Sequence, residues 1–264
     1  NEGSTVSYPQ GHTAKEFFLA KPVQETDALI NLCKMKTHAL ERVTGRVKNL
    51  YGCISGLHKA KGHTKYTNAD IFARQLIDLN QLIKPRFCVM DGIVAMDGNG
   101  PTSGDPVKMK VLLLGNDPVT IDSVYCHLVH LDPQMVPTNV HGETMGLGTW
   151  REENIRLLTD GGEITMQEAV ERFGNPDFNV DRKKQRGNLW NRFNNGFLRY
   201  FQKKPYIEED KCKKCGVCVE ACPVEGKALQ FKNGRRKPPV YNYHKCIRCF
   251  CCQEMCPHKA IQVK

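Results

Sequence analysis

"CKKCGVCVEACP" (Cys212–Pro223) and "CIRCFCCQEMCP" (Cys246–Pro257) state one spacing twice. Three cysteines lie two residues apart, a fourth follows after three more, and a proline comes next. Nine of the thirteen cysteines fall in these two stretches, eight of them at the repeated positions and Cys251 between two of these. Thirteen cysteines in a secreted chain would suggest a disulfide framework, but spacings this tight point to metal and so to a reducing cytoplasm. Zinc knuckles present two cysteine pairs separated by a longer loop, which makes zinc the poorer reading of three cysteines in a row plus Cys-Pro.

The stretch Tyr206–Lys264 resembles the bacterial dicluster 4Fe–4S ferredoxin domain. "KALQF" (Lys227–Phe231) and "KAIQV" (Lys259–Val263) match the short strands that follow each cluster loop in that family. The resemblance implies two 4Fe–4S clusters. Three closely spaced thiolates wrap three corners of one cube, and the fourth, too far along to close it, reaches across to the other. Cys212, Cys215, Cys218 and Cys256 would hold one cluster, and Cys246, Cys249, Cys252 and Cys222 the other. Between the halves, "FKNGRRKPPVY" reads as a hairpin tip built on Asn233-Gly234. Cys251 departs from the family, which more often has a small residue there, and reads as a free, buried thiol.

Charge is shared unevenly. From Lys211 onward there are twelve Lys/Arg against three Asp/Glu, whereas residues 1–210 carry 26 against 25. Nearly all of the formal +10 therefore sits on the cysteine-rich end. Two clusters, each bringing about −2 with its four thiolates, would leave it only mildly basic. A nucleic-acid role ranks low, because the cations crowd the cysteines and no stacking aromatics accompany them. Lys213, Lys214, Arg235, Arg236, Lys237 and Arg248 point instead to an acidic redox partner protein. No run of eighteen apolar residues marks a membrane span, and no signal peptide opens the chain. The opening "NEGSTVSYPQGHT" reads like the middle of a gene product, so an N-terminal portion is expected to be absent.

Ahead of the cysteines, strands and helices alternate. "DALINL" (Asp27–Leu32) predicts a buried strand leading into polar "CKMKTH" (Cys33–His38), and Thr44–Gly56 predicts a loop with one short helix. Asn68–Lys84 predicts a helix with an Asn68 cap, a stripe of Ile71, Leu76, Leu79 and Ile83, and a stop at Pro85. Arg86–Gly98 and Val107–Pro118 read as strands ending in acidic, Gly-rich sequence. A helix then starts at Pro118 with Asp117 as its cap. Glu153–Gly161 reads as a strand and Thr165–Gly174 as a helix. The fold class is thus α+β or α/β: a layered α/β domain over residues 1–175, then a small ferredoxin-like dicluster domain over 206–264. Residues 176–205 form a linker with a helix bearing Leu189, Phe193, Phe197 and Phe201 on one face.

Three stretches, "NLCKMKTHALERVTGRVKNLYGCISG" (Asn31–Gly56), "DGIVAMDGNGPTSG" (Asp91–Gly104) and "GNDPVTIDSV" (Gly115–Val124), resemble the domain-of-unknown-function family numbered 362. Its members often carry C-terminal ferredoxin modules and usually have a further α/β segment ahead of the first motif. Cations and carboxylates converge at the predicted strand ends, where α/β sheets bind ligands. Lys34, Lys36, His38, Lys48 and Asn49 come from the first motif, and Asp91, Asp97, Asn99, Asp117 and Asp122 from the others. Of these, His38, Lys36, Lys48, Asn49 and Asp91 are the candidate catalytic residues, facing an anionic substrate or a metal, with His38 as ligand or proton shuttle. The bland reading makes Asp117 a helix cap, Asp91 and Asp97 turn residues, and Lys36 and Lys48 solvated. Cys88 and Cys126 read as core, and Cys33 and Cys53 flank the first motif.

Two functions follow. One is an iron–sulfur oxidoreductase of an anaerobe, exchanging electrons with an anionic substrate in its α/β domain. The other is a non-enzymatic electron carrier or accessory subunit whose α/β domain docks a redox partner.

Overall fold

The computed structural model describes residues 3–55, 57–66, 68–183, 203–232 and 234–264. The aromatic helix expected around Leu189 to Phe201 lies outside the described residues, as does Asn233 of the expected hairpin tip. The chain divides into two compact units, residues 1–180 and 181–264.

The first unit opens with an antiparallel hairpin, β1 (Gly3–Ser7) and β2 (Glu16–Ala20), followed by α1 (Lys21–Glu25). Next come β3 (Ile30–His38), β4 (Arg42–Thr44), α2 (Arg46–Asn49), α3 (Leu57–Lys65) and α4 (Ala69–Ile83). After these run β5 (Phe87–Asp97), β6 (Asp105–Val107), β7 (Val111–Gly115), α5 (Pro118–Leu128) and α6 (Pro137–Thr144). A small hairpin, β8 (Leu157–Thr159) and β9 (Gly162–Ile164), leads to α7 (Met166–Phe173).

The central sheet runs β4-β3-β5-β6, with β7 also paired to β5. Only β3 and β5 are parallel, and α2, α3 and α4 make the crossover that parallel pairing requires. The strand expected to end at Leu32 continues to His38. Its residues alternate, with Cys33, Met35 and Thr37 buried and Leu32 and Lys34 on the other face, so the lysines are strand residues and not loop residues. On the inward face, Cys33, Met35, Cys88, Met90 and Val111 pack against Ile121, Val124, Tyr125 and Leu128 of α5 and Met166 of α7. The register places Ile30 beside Phe87, and Leu112 and Leu114 beside Asp91 and Val89, on the opposite face. That face stands open, with Leu32 72% and Leu114 60% exposed.

A second core joins the hairpin to α2 and α4 through Phe17, Leu19, Val47, Phe72, Leu76 and Leu79. Asn68 caps α4 as expected, and Lys84 closes it in the left-handed region before Pro85. The buried stripe differs from the expected one: Phe72, Ala73, Ile77 and Asn80 join Leu76 and Leu79, while Ile71 is exposed. The reason is a packing load on more than one side. Asp78, fully buried, accepts the backbone N–H groups of His12, Thr13 and Ala14 at 2.7–2.8 Å, and Asn80 donates to the Val47 carbonyl at 2.9 Å.

The expected strand at Glu153–Gly161 is shorter than expected: a short 3-10 turn, Glu152–Asn154, precedes β8, and the β8–β9 hairpin turns at Asp160 and Gly161. Helix α7 starts on a capping box, Thr165 with Glu168. In the second unit, β10 (Pro205–Ile207) pairs with the final strand, and α8 (Val217–Glu220) follows. Next, β11 (Leu229–Gln230) pairs with β12 (Val240–Tyr241), and α9 (Cys251–Glu254) precedes β13 (Ile261–Val263). Among the described residues, no helix is long and apolar enough to cross a membrane.

Candidate functional site

The two cysteine loops of the second unit repeat in backbone as well as in sequence. Lys214 and Arg248, each just before the second cysteine of its loop, have φ of 56° and 58°. Gly216 and Phe250, each just after it, have φ of 88° and 60°. Left-handed backbone is unfavourable for a lysine, an arginine or a phenylalanine, and such residues persist where the surroundings demand it. Backbone that alternates between right- and left-handed turns its N–H groups into one concavity, a nest for an anion. The fourth cysteines match too. The Ala228 N–H donates to Cys222 Sγ at 3.3 Å and the Ala260 N–H to Cys256 Sγ at 3.4 Å. Tyr241 Oη lies 3.2 Å from Cys252 Sγ.

One cavity is lined by Cys212, Cys215 and Cys218 of the first loop together with Cys256 and Pro257 of the second. Burial, followed by the proximity of Cys256, Cys212 and Cys215, pushes the Cys218 thiol up to about 11. Cys246 has Cys249 and Cys222 as electrostatic neighbours. Among the described residues, no group of three or more His, Cys, Asp or Glu closes round a single metal ion. The grouping therefore rests on the cavity lining and these neighbours. Four sulfurs about a cavity, with N–H groups directed at sulfur, suit an anionic iron–sulfur cluster. Cys251 is buried and hydrogen-bonds to Cys249.

In the first unit, the candidates divide. Asp91 lies mid-strand and pairs with Lys34 at 2.5 Å on the open sheet face. Its partner in register is Lys34, four residues from His38 along β3, or about 13 Å. The structure therefore does not bring Asp91 to the strand end. Asn49 is a brace: its Nδ2 donates to Asn31 Oδ1 at 2.7 Å, and Asn31 in turn donates to the Arg46 carbonyl at 2.9 Å. Asp117 caps α5 by accepting from the N–H groups of Val119 and Thr120. Asp97 accepts from the Asn179 N–H at 2.7 Å. Asp122, 2% exposed, accepts from the N–H groups of Arg46 and Val47 at 2.5 and 3.0 Å and so holds the start of α2. Burial pushes its carboxyl up to about 6.

At the end of β3, His38, Glu41, Arg42, Thr44 and Lys48 are all buried. His38 Nδ1 accepts the backbone N–H groups of Leu40 at 3.1 Å and Glu41 at 3.0 Å. A nitrogen that accepts carries no proton, so the neutral ring carries its proton on Nε2, which donates and does not ligate. Glu41, which sequence reasoning passed over, has no exposed surface, and neither carboxyl oxygen has a hydrogen-bond partner. Burial pushes it up to about 8 against the pull of Lys48. The signal in sequence was a lone acid among the cations of "HALERVTGRVK". Of the scattered cysteines, Cys33 and Cys88 meet in the core with sulfurs 3.7 Å apart. Register pairs Cys88 with Asn31, so the two are diagonal neighbours about 7–8 Å apart at Cα. That span is too long for a disulfide without backbone movement, and the contact is S–H···S.

The two units match two known domain families. Residues 204–257 match the family described as a 4Fe-4S dicluster domain, and residues 1–127 match the family described as a domain of unknown function (DUF362). The chain is also similar to a thylakoid-associated protein of Synechocystis sp., with 38% identity over 149 residues. The match covers 56% of this chain and 46% of that relative, so the chain spans under half of the relative's length.

Proposed function

We propose that the protein transfers electrons through two 4Fe–4S clusters to or from a small anionic substrate bound at the end of β3. Cys212, Cys215, Cys218 and Cys256 would hold one cluster, and Cys246, Cys249, Cys252 and Cys222 the other. The observation that carries this reading is Cys256 of the second loop lining the same cavity as the three cysteines of the first. The clusters supply one-electron transfer at potentials set by hydrogen bonds to sulfur and by nearby charge. In the α/β unit, His38 would donate through Nε2, and Lys36 and Lys48 would hold negative charge. Asn49 is left out because it braces Asn31, and Asp91 because it pairs with Lys34 on the open sheet face, away from the strand end. Protein prepared without air is expected to contain about eight irons and eight acid-labile sulfides per chain. Stoichiometric zinc without sulfide would overturn the reading.

The cations near the clusters support an acidic redox partner. Lys213, Arg235, Arg236 and Lys237 are exposed, and Lys214 and Arg248 half-buried. Electron transfer from such a partner is expected to slow steeply between low and physiological salt, through loss of steering. A rate indifferent to salt would rule out docking by this face. We place the protein in a reducing, oxygen-poor cytoplasm, on the chemistry of its clustered thiols. The relative's thylakoid association makes a membrane surface the second location to test.

A further inference from the structure

Burying a carboxyl without a partner is costly, and proteins retain such groups where something else meets them. Glu41 is the extreme case among the described acids: it is fully buried and both of its oxygens are unpartnered. Three residues on, at the end of β4, the buried hydroxyl of Thr44 also lacks a partner. His38 carries its proton on Nε2, because its Nδ1 accepts two N–H groups of this turn. Lys48 of α2 is a cation that acts on Glu41. Asp70 at the start of α4 is the other charge that acts on Glu41. It is taken up by His141 of α6 at 3.0 Å, and His141 Nδ1 accepts from Arg74 Nε at 3.4 Å. The charges that act on the carboxyl are thus one cation, Lys48, and one carboxylate, Asp70, which is already paired with His141.

We propose that the β3–β4 turn is a receptor for a small oxyanion, in which Glu41 takes part as a neutral carboxylic acid that donates its proton to the bound anion. This deepens the substrate reading of the β3 end and rests on it. Metal binding suits the turn poorly, since the lone pair of His38 Nδ1 is already used and Nε2 carries the proton. A neutral acid, by contrast, supplies the O–H donor that Lys48 and His38 alone do not. An anion bound against Glu41 disfavours its ionised form, so ligand and proton bind together.

The sign of the pH dependence follows. Burial pushes the Glu41 carboxyl up to about 8. Below that pH the acid is already protonated, and binding is insensitive to pH. Above it each bound anion must recruit a proton, and affinity falls by about tenfold per pH unit. The test is calorimetric titration of the full chain, kept anaerobic, with acetate and separately with sulfate, neither of which titrates in this range. Carried out in buffers of different ionisation enthalpy, it also counts protons. Wild type is expected to bind a single anion, taking up almost no proton at about pH 7 and close to one at about pH 9. Acetate binding without sulfate assigns a planar carboxylate site, and the reverse a tetrahedral oxyanion site. Glu41→Gln cannot titrate, so whatever its affinity at about pH 7, it should lose the alkaline fall. If that variant does not fold, the proton count on wild type still decides. Binding without proton uptake at about pH 9, or an alkaline fall unchanged in Glu41→Gln, overturns the role of Glu41 and leaves the anion site standing. No saturable binding of either anion overturns the site itself.

Discussion

Cys256→Ala is expected to strip iron from the site at Cys212, Cys215 and Cys218 and to leave the site at Cys246, Cys249 and Cys252 loaded. The alanine lies in the second loop, so a purely local scheme would predict the reverse. The cavity lining places the Cys256 sulfur with the first loop. Three thiolates leave one iron of a cube without a protein ligand, and the cluster is then lost or degraded. Iron should fall from about eight to about four per chain, with the remaining visible absorption that of one cluster. Cys222→Ala should do the opposite, emptying the second-loop site. Cys251→Ala serves as the control, because Cys251 is buried outside both proposed ligand sets, and this variant should keep both clusters. Iron lost from the second-loop site in Cys256→Ala would show the crossing to be misassigned.

Asp122→Ala should unfold the α/β unit most readily of the single changes considered. The Asp122 carboxylate accepts hydrogen bonds from the Arg46 and Val47 N–H groups, and its charge acts on the buried guanidinium of Arg46. That guanidinium also donates to the carbonyls of Pro85 and Asn116 at 3.2 and 3.4 Å. Removing the carboxylate leaves two buried donors unmet and takes one of the negative charges from beside the buried Arg46 guanidinium, a loss of about 3–5 kcal/mol. Asp122→Asn keeps one acceptor and the shape, and should lose less. Thermal unfolding followed by far-UV dichroism reads the difference. An alanine variant as stable as wild type would show that α2 does not depend on this cap.

Much of this was legible in the sequence because it depended on local chemistry. The cysteine spacing, the Asn68 and Asp117 caps and the Thr165 start of α7 are short-range patterns, and each stands where the residues put it. Asp122 and Asn49 were not legible as braces, because their partners lie 75 or 76 and 18 residues away and only the folded chain brings them together. The continuation of β3 through Lys34 and Lys36 was hidden by charge. A strand with one open face tolerates lysine at alternate positions, and the run reads as a loop to anyone expecting burial on both sides. The open face was hidden for the converse reason. "VLLLG" at β7 is apolar at every position, so hydropathy cannot tell Leu113, which packs on the core, from Leu112 and Leu114, which do not. Glu41 was missed because an isolated acid carries no periodic signal.

The open sheet face has a practical side. Fluorescent dyes that brighten on apolar surface are the usual alarm for a molten globule, a state that has secondary structure but has lost its packing. Here Ile30, Leu32, Phe87, Leu112 and Leu114 offer that surface on a sheet whose other side is closely packed. For this protein, dye brightness and loss of native order are separate quantities. Near-UV dichroism from Tyr125 and Phe178, edge-to-face at 6.1 Å in the buried core, is the signal that distinguishes them.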